Sequence, residues 1–197
     1  MQQATPAHII PDFTWYPETE FCYLSGKKGV FLAAKGGYND ESHNHNDVGT
    51  CSGWMNETPV LIDAGVGTYT RQTFSSERYS IWTMQSNYHN LPLINGVPQR
   101  YGKNYKATDV KASKNNFSAN IASAYPKEAN VKTWTRSYRL DGKQVRINDS
   151  FELTETTAPN IVNFMTWGEI DTATAGKVGI HVEDVNAELA YDAKRFE

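Results

Sequence analysis

The sequence predicts an all-β fold, an antiparallel β-sandwich, from three observations. Apolar residues recur with period two in short runs, Gly, Asn and Pro separate those runs, and only one stretch carries a helical patch. The 197 residues are 39% hydrophobic and 12% aromatic, enough apolar material for the core of one domain and too much for a disordered polymer.

Alternation predicts strands over 20–24, 30–35, 49–55, 60–63, 91–94, 107–113, 117–123, 133–140, 144–153 and 161–167, and residues 187–191 alternate as well. Asp141-Gly142 predicts a hairpin, because a two-residue type I′ turn demands positive φ angles that Asp-Gly supplies. The helical patch is 73–84, with Ser75 or Ser76 as its cap and Glu77 and Arg78 following. There is no internal repeat and no low-complexity segment. The chain stops at Phe196-Glu197 without a turn or capping signal, which reads as a truncated edge.

A formal net charge of -3 gives no global attraction for nucleic acid, an anionic membrane or an acidic polymer, so an acidic substrate must be held by local groups. No stretch approaches the roughly 20 apolar residues that cross a bilayer, and Met1-Gln2-Gln3-Ala4-Thr5-Pro6 does not open a signal peptide. Cys22 and Cys51 are too few for a disulfide framework.

The chemistry concentrates in one quarter of the chain. Ser42-His43-Asn44-His45-Asn46-Asp47 places two imidazoles one residue apart, able to face one side on an extended backbone. Val60-Leu61-Ile62-Asp63-Ala64-Gly65 puts a carboxylate behind an apolar run, where it needs either a cation or backbone N–H groups in the glycine turn. Tyr88-His89-Asn90-Leu91 opens a strand with a histidine, read either as a ligand or as a core histidine bonded to a carbonyl. Together His45, Asp63 and His89 offer two nitrogens and one oxygen, a set suited to one zinc ion with a fourth position left over. Spacing leaves open whether that metal is structural or catalytic. Two other metal motifs fit poorly. His43, His45 and Asp47 lack the following histidine of a metallo-β-lactamase signature, and the stretch after Gly37 lacks the glutamate of a cupin motif.

The series His43-Asn44-His45-Asn46-Asp47-Val48-Gly49, then Pro59 to Gly65, then Arg78 through Trp82 and Thr83 to His89-Asn90, resembles the heparinase II/III-like domain of polysaccharide lyases. The resemblance extends in less detail from Cys22 to Trp167 and includes Trp134-x-Arg136. It implies a two-layer β-sandwich that packs against an N-terminal (α/α) toroid, with residues 1–20 a tail or linker to that toroid and 21–197 the sandwich. It implies β-elimination at a uronic acid of an anionic polysaccharide such as a glycosaminoglycan or alginate. His43 then becomes the catalytic-cleft histidine and His45, Asp63 and His89 the zinc positions, while a Tyr, an Asn or Gln and a further His belong to the toroid. A periplasmic or secreted parent follows from the same likeness.

Arg78, Asn44 and Tyr69 are the candidate substrate contacts, Arg78 through bidentate pairing with carboxylate or sulfate. Asn46, Asn90 and Asp47 are candidates to orient the histidines. His8 and His181 have no matching partners. The competing function is a noncatalytic carbohydrate-binding module with Trp15, Trp54 and Trp134 as a stacking platform, and a third is a purely structural metal-binding domain.

Overall fold

Successive side chains on a strand point to opposite faces, so each period-two run makes one apolar face that must find another. The structure, a computed structural model, describes residues 11–196. Its strands are β1 (Phe13–Tyr16), β2 (Phe21–Ser25), β3 (Val30–Lys35), β4 (Tyr38–Asn39), β5 (Cys51–Met55), β6 (Thr58–Leu61), β7 (Pro92–Leu93) and β8 (Gly102–Lys106). They continue with β9 (Thr108–Ser113), β10 (Asn116–Asn120), β11 (Val131–Asp141), β12 (Gln144–Leu153), β13 (Ile161–Val162), β14 (Glu169–Asp171), β15 (Lys177–Val182) and β16 (Val185–Ala190).

Two antiparallel sheets face each other, ordered β1-β2-β3-β5-β6 and β12-β11-β10-β9. The first contributes Cys22, Leu24, Leu32, Ala34 and Cys51 to the core, and the second Phe117, Ala119, Trp134, Tyr138 and Leu140. Fully burying each of the larger of these side chains is worth about 1.5–3 kcal/mol against the cost of ordering the chain. Tyr138 also crosses the layer, its hydroxyl donating to the Gly49 carbonyl at 2.6 Å. A third sheet, β14-β15-β16, packs Ile180, Val182 and Val185 onto Val60 of β6. The all-β sandwich is therefore the fold, and both cysteines are free and buried.

Several elements differ from the sequence reading. The first sheet begins with β1, inside the stretch read as a linker, and pairs Phe13 with Leu24 and Trp15 with Cys22. Phe13 and Trp15 pack on the core, a two-residue alternation too short to register as a run. Only Ile161–Val162 of the expected strand 161–167 is a strand, because the remainder bonds irregularly: Ile62 N–H donates to the Met165 carbonyl at 2.9 Å. The β11–β12 hairpin forms, but its closing pair is Asp141 with Gln144, which makes Gly142 and Lys143 the turn. Gly142 alone of the two has a positive φ, +61°, which suits a type II′ turn rather than type I′. The patch at 73–84 becomes part of a chain of short 3-10 turns, Gln72–Phe74, Ser76–Ser80, Trp82–Met84 and Ser86–Tyr88. Ser75 caps the second of these, its Oγ accepting from Glu77 N–H at 3.1 Å. Side chains take the carbonyls an α-helix would use, Arg78 that of Thr73 and Gln85 that of Tyr79.

Candidate metal centre and cleft

The loop between β4 and β5 carries His43 and His45, and it is held by buried charge. Lys35, at the end of β3 and 6% exposed, reaches Asp47 at 2.8 Å and Glu41 at 3.1 Å. Burial acts to lower the Lys35 pKa, but the two carboxylates outweigh it and the ammonium titrates above its ordinary value. Asn39 accepts from Asp47 N–H, and Gln99 exchanges bonds with both backbone groups of Val48, so the loop is fixed at each side of its histidines.

On that frame the ligand atoms of His45, Asp63 and His89 lie within 4.8 Å of one another. Three separate segments meet here: the β4–β5 loop, the turn after β6 and the residue ahead of β7. His89 is 1% exposed, and among the described residues neither of its ring nitrogens has an aligned hydrogen-bond partner. Asp63 Oδ2 is 3.1 Å from His89 Nδ1 but out of line for a hydrogen bond. Orphaned imidazole nitrogens are costly in a protein interior, and a cation shared with Asp63 and His45 removes that cost. Burial lowers the His45 pKa, against the pull of Asp47 and Asp63, and so favours the neutral ring a metal requires. Burial alone would raise the Asp63 carboxyl, but the His89 ring, the Gly65 N–H and His45 hold it down to about 2. Of the two readings of Asp63 the backbone one is present, its Oδ1 accepting from Gly65 N–H at 2.7 Å, while Oδ2 faces His89.

His43 does not share that face. Its φ of +57° breaks the extended backbone expected of the H-x-H string, turning the ring away from His45 and into solvent. There it meets exposed Tyr69 edge-on, 6.3 Å between centroids, and Tyr69 stacks on Phe74 at 5.6 Å. Arg78 grips the same turn from below, with Nε and Nη2 donating to the Asn44 carbonyl at 3.0 and 2.8 Å and Nη1 to the Thr73 carbonyl. The Asn44 side chain is buried and donates to the Tyr79 hydroxyl at 3.1 Å. Arg78 and Asn44 thus strap the His43 turn in place, a role the sequence reading does not give them; Tyr69 is the one of the three candidate substrate contacts that is exposed and uncommitted to a hydrogen bond among the described residues.

A family model, heparinase II/III-like, C-terminal, matches residues 10–192. The chain belongs to this family. A heparinase III gene product superposes with a TM-score of 0.69 at 18% identity, over 92% of this chain and 29% of its own. The heparan sulfate lyase HepC from Pedobacter heparinus gives 0.65 at 16% identity, over 93% and 29% respectively. A further heparinase III structure gives 0.60 at 16%, over 88% and 28%. At these identities the likeness concerns the fold, and the chain spans under a third of the length of each of these proteins. No curated protein sequence matches it.

The heparinase-like centre rests on residues that spacing alone does not reveal. Asn90 donates to the Cys51 and Ile62 carbonyls at 2.7 and 3.0 Å and accepts from Met165 N–H, tying β5, the end of β6 and the segment after β13 together beside His89. It organises backbone and touches neither imidazole by hydrogen bond. Arg136, fully buried on β11, donates to the Asn90 carbonyl at 2.8 Å and is clamped by Asp149, which also accepts from Trp134 Nε1. Asp47 likewise serves Lys35 rather than a histidine. Trp134 is 1% exposed and Trp54 packs on Phe31, so the stacking platform of the binding-module reading does not form; the exposed aromatics include Tyr69, Phe74, Trp82 and Trp167. His181 is exposed and bonds to Asn186, and His8 lies outside the described residues.

Proposed function

We propose that this domain forms one wall of a polysaccharide lyase site, acting by β-elimination on a uronic-acid-containing anionic polysaccharide, a glycosaminoglycan or alginate. What supports it is the placement, on one loop, of a His-Asp-His cluster anchored by buried His89 and an exposed histidine on a turn locked by Arg78. Elimination removes the weakly acidic C5 proton of the uronate, forms the C4–C5 double bond, and breaks the bond from C4 to the glycosidic oxygen, which leaves with a proton. Negative charge builds on the C5 carboxylate as the proton departs, so a donor poised there lowers the barrier.

His43 takes that position. Its ring donates to the substrate carboxylate or passes a proton at the leaving oxygen, and its rigid turn removes the entropy of placing it. Tyr69 borders the ring and offers a face for a sugar. His45, Asp63 and His89 hold one zinc ion, which would draw three segments of the cleft wall together. The remaining base and donors, a Tyr, an Asn or Gln and a His, come from a helical toroid of the same parent chain. That parent meets its polymer outside the cytoplasm, in the periplasm or as a secreted enzyme; among the described residues no helix is long and apolar enough to cross a membrane.

The test is His43→Ala in the full-length parent, with heparan sulfate, hyaluronan and alginate as substrates and ultraviolet absorbance of the unsaturated product as the readout. Elimination should fall by about 100-fold or more, with zinc content and thermal unfolding unchanged. Full activity in that variant would exclude the role assigned to His43.

A further inference from the structure

At the β11–β12 turn, far along the strand from the Arg136 contact, the structure gathers positive charge that the cleft does not use. Arg139 and Arg146 are directly paired across the hairpin and both exposed. With Asp141 and Gln144 they line a recess of about 200 Å³. Lys143 is in the turn itself, and Lys27 docks there by donating its backbone N–H to the Gly142 carbonyl at 2.8 Å, which brings Lys28 alongside. Among the described residues none of these five cations is in an ion pair.

Like charges placed directly opposite on a sheet destabilise it, and Asp141 supplies only one negative charge nearby. On a chain with net charge -3, such a cluster is a local exception that attracts polyanions over about a Debye length. Two guanidinium groups side by side present forked donors matched to sulfate and carboxylate oxygens. The same face continues toward Ser137 and Asn148, short polar side chains in register that leave an open floor for a hydroxylated chain.

We propose that Arg139 and Arg146 form a second, noncatalytic binding site for a segment of anionic polysaccharide, its sulfate or carboxylate seated between the two guanidinium groups and its neighbouring units over Lys143, Lys27 and Lys28. The choice of polysaccharide among polyanions rests on the proposed function; the choice of an anion does not. Such a site keeps a long polymer attached while the cleft acts elsewhere on it.

The experiment is titration calorimetry of the 197-residue chain with a heparin oligosaccharide, comparing the Arg139→Ser/Arg146→Ser double variant with Lys194→Ser/Arg195→Ser, which removes the same charge from the turn after β16, outside the recess. Affinity should drop about tenfold or more in the first and stay unchanged in the second. Thermal unfolding of the arginine variant should be equal to or above that of the parent, and Arg146→Gln alone reports on the same recess if the double variant fails to fold. Equal affinity in parent and arginine variants overturns the inference. So does equally tight, equally arginine-dependent binding of a short DNA duplex, which would make the recess a general polyanion contact. If the full-length parent shows no elimination while arginine-dependent heparin binding persists, the lyase reading fails and this site stands. Elimination together with unaltered binding in the arginine variants means the opposite: the lyase reading stands and this site fails.

Discussion

At the residue scale the decisive side chain is His89, buried with both ring nitrogens unpartnered and a carboxylate 3.1 Å away. A Gln at this position fills most of the volume and keeps a polar end, but offers no imidazole lone pair. His89→Gln should therefore lose zinc, with affinity falling by at least the ~100-fold seen when lesser supports of a metal site are removed, measured by elemental analysis after dialysis. Stoichiometric zinc in the variant would exclude His89 as a ligand. The histidines and Asp63 were legible in the sequence because each is chemically out of place: a carboxylate behind Val-Leu-Ile, an imidazole opening a strand. The roles of Lys35, Asn90 and Arg136 were not, although Asn90 and Arg136 drew notice, since what matters about them is a partner in a remote segment, such as the Asn90 carbonyl reached from β11. Arg78 shows the converse. Its residue type suggested an anion, and three of its five N–H donors go to two backbone carbonyls, a role in holding the loop that residue type does not show.

At the element scale, the β4–β5 loop depends on two features that can be tested separately. Gly49 has φ +85°, and a Cβ there would lie 2.5 Å from Ile121 Cγ2, a side chain fully buried and unable to withdraw. Gly49→Ala should cost about 2 kcal/mol or more, from left-handed backbone strain plus the clash, read by denaturant unfolding. Lys35→Met leaves Asp47 and Glu41 facing each other without their cation, and should cost about 3 kcal/mol. The pH dependence has a definite sign: a lysine whose pKa is raised on folding contributes fully below its unfolded value of about 10.4 and loses that contribution as pH rises through the higher folded value. Stability should thus fall in the alkaline limb above about pH 10, and Lys35→Met should flatten that limb. Long, cleanly alternating strands such as β3, β11 and β12 were readable from pattern alone. The 3-10 turns were not, because capping and carbonyl capture by Arg78 and Gln85 replace the α-helical ladder only once the tertiary partners are present.

At the scale of the molecule, two kinds of cohesion act in different places. The core between the sheets runs from Cys22 to Leu140 and is apolar throughout, and none of His45, Asp63 and His89 belongs to it, so the sandwich is expected to fold without a cation. His45, Asp63 and His89, by contrast, come from connections between strands, which Asn90 and Arg78 already tie by hydrogen bonds and which a shared ion would tie further. Removing zinc with a chelator should therefore leave the far-ultraviolet signature of a β protein intact while lowering the unfolding temperature. With free zinc at 100 times its dissociation constant, the linkage is worth about 2.7 kcal/mol, which for a domain of this size corresponds to roughly 5–10 °C. His43→Ala should show the same shift on chelation as the parent, since its ring lies outside the cluster, whereas Asp63→Asn should begin near the zinc-free temperature and respond little to chelator. A parent chain whose unfolding temperature ignores both zinc and chelator would mean that the three side chains converge without holding an ion, and these connections would then owe their shape to bonds such as those of Lys35, Arg78, Asn90 and Arg136.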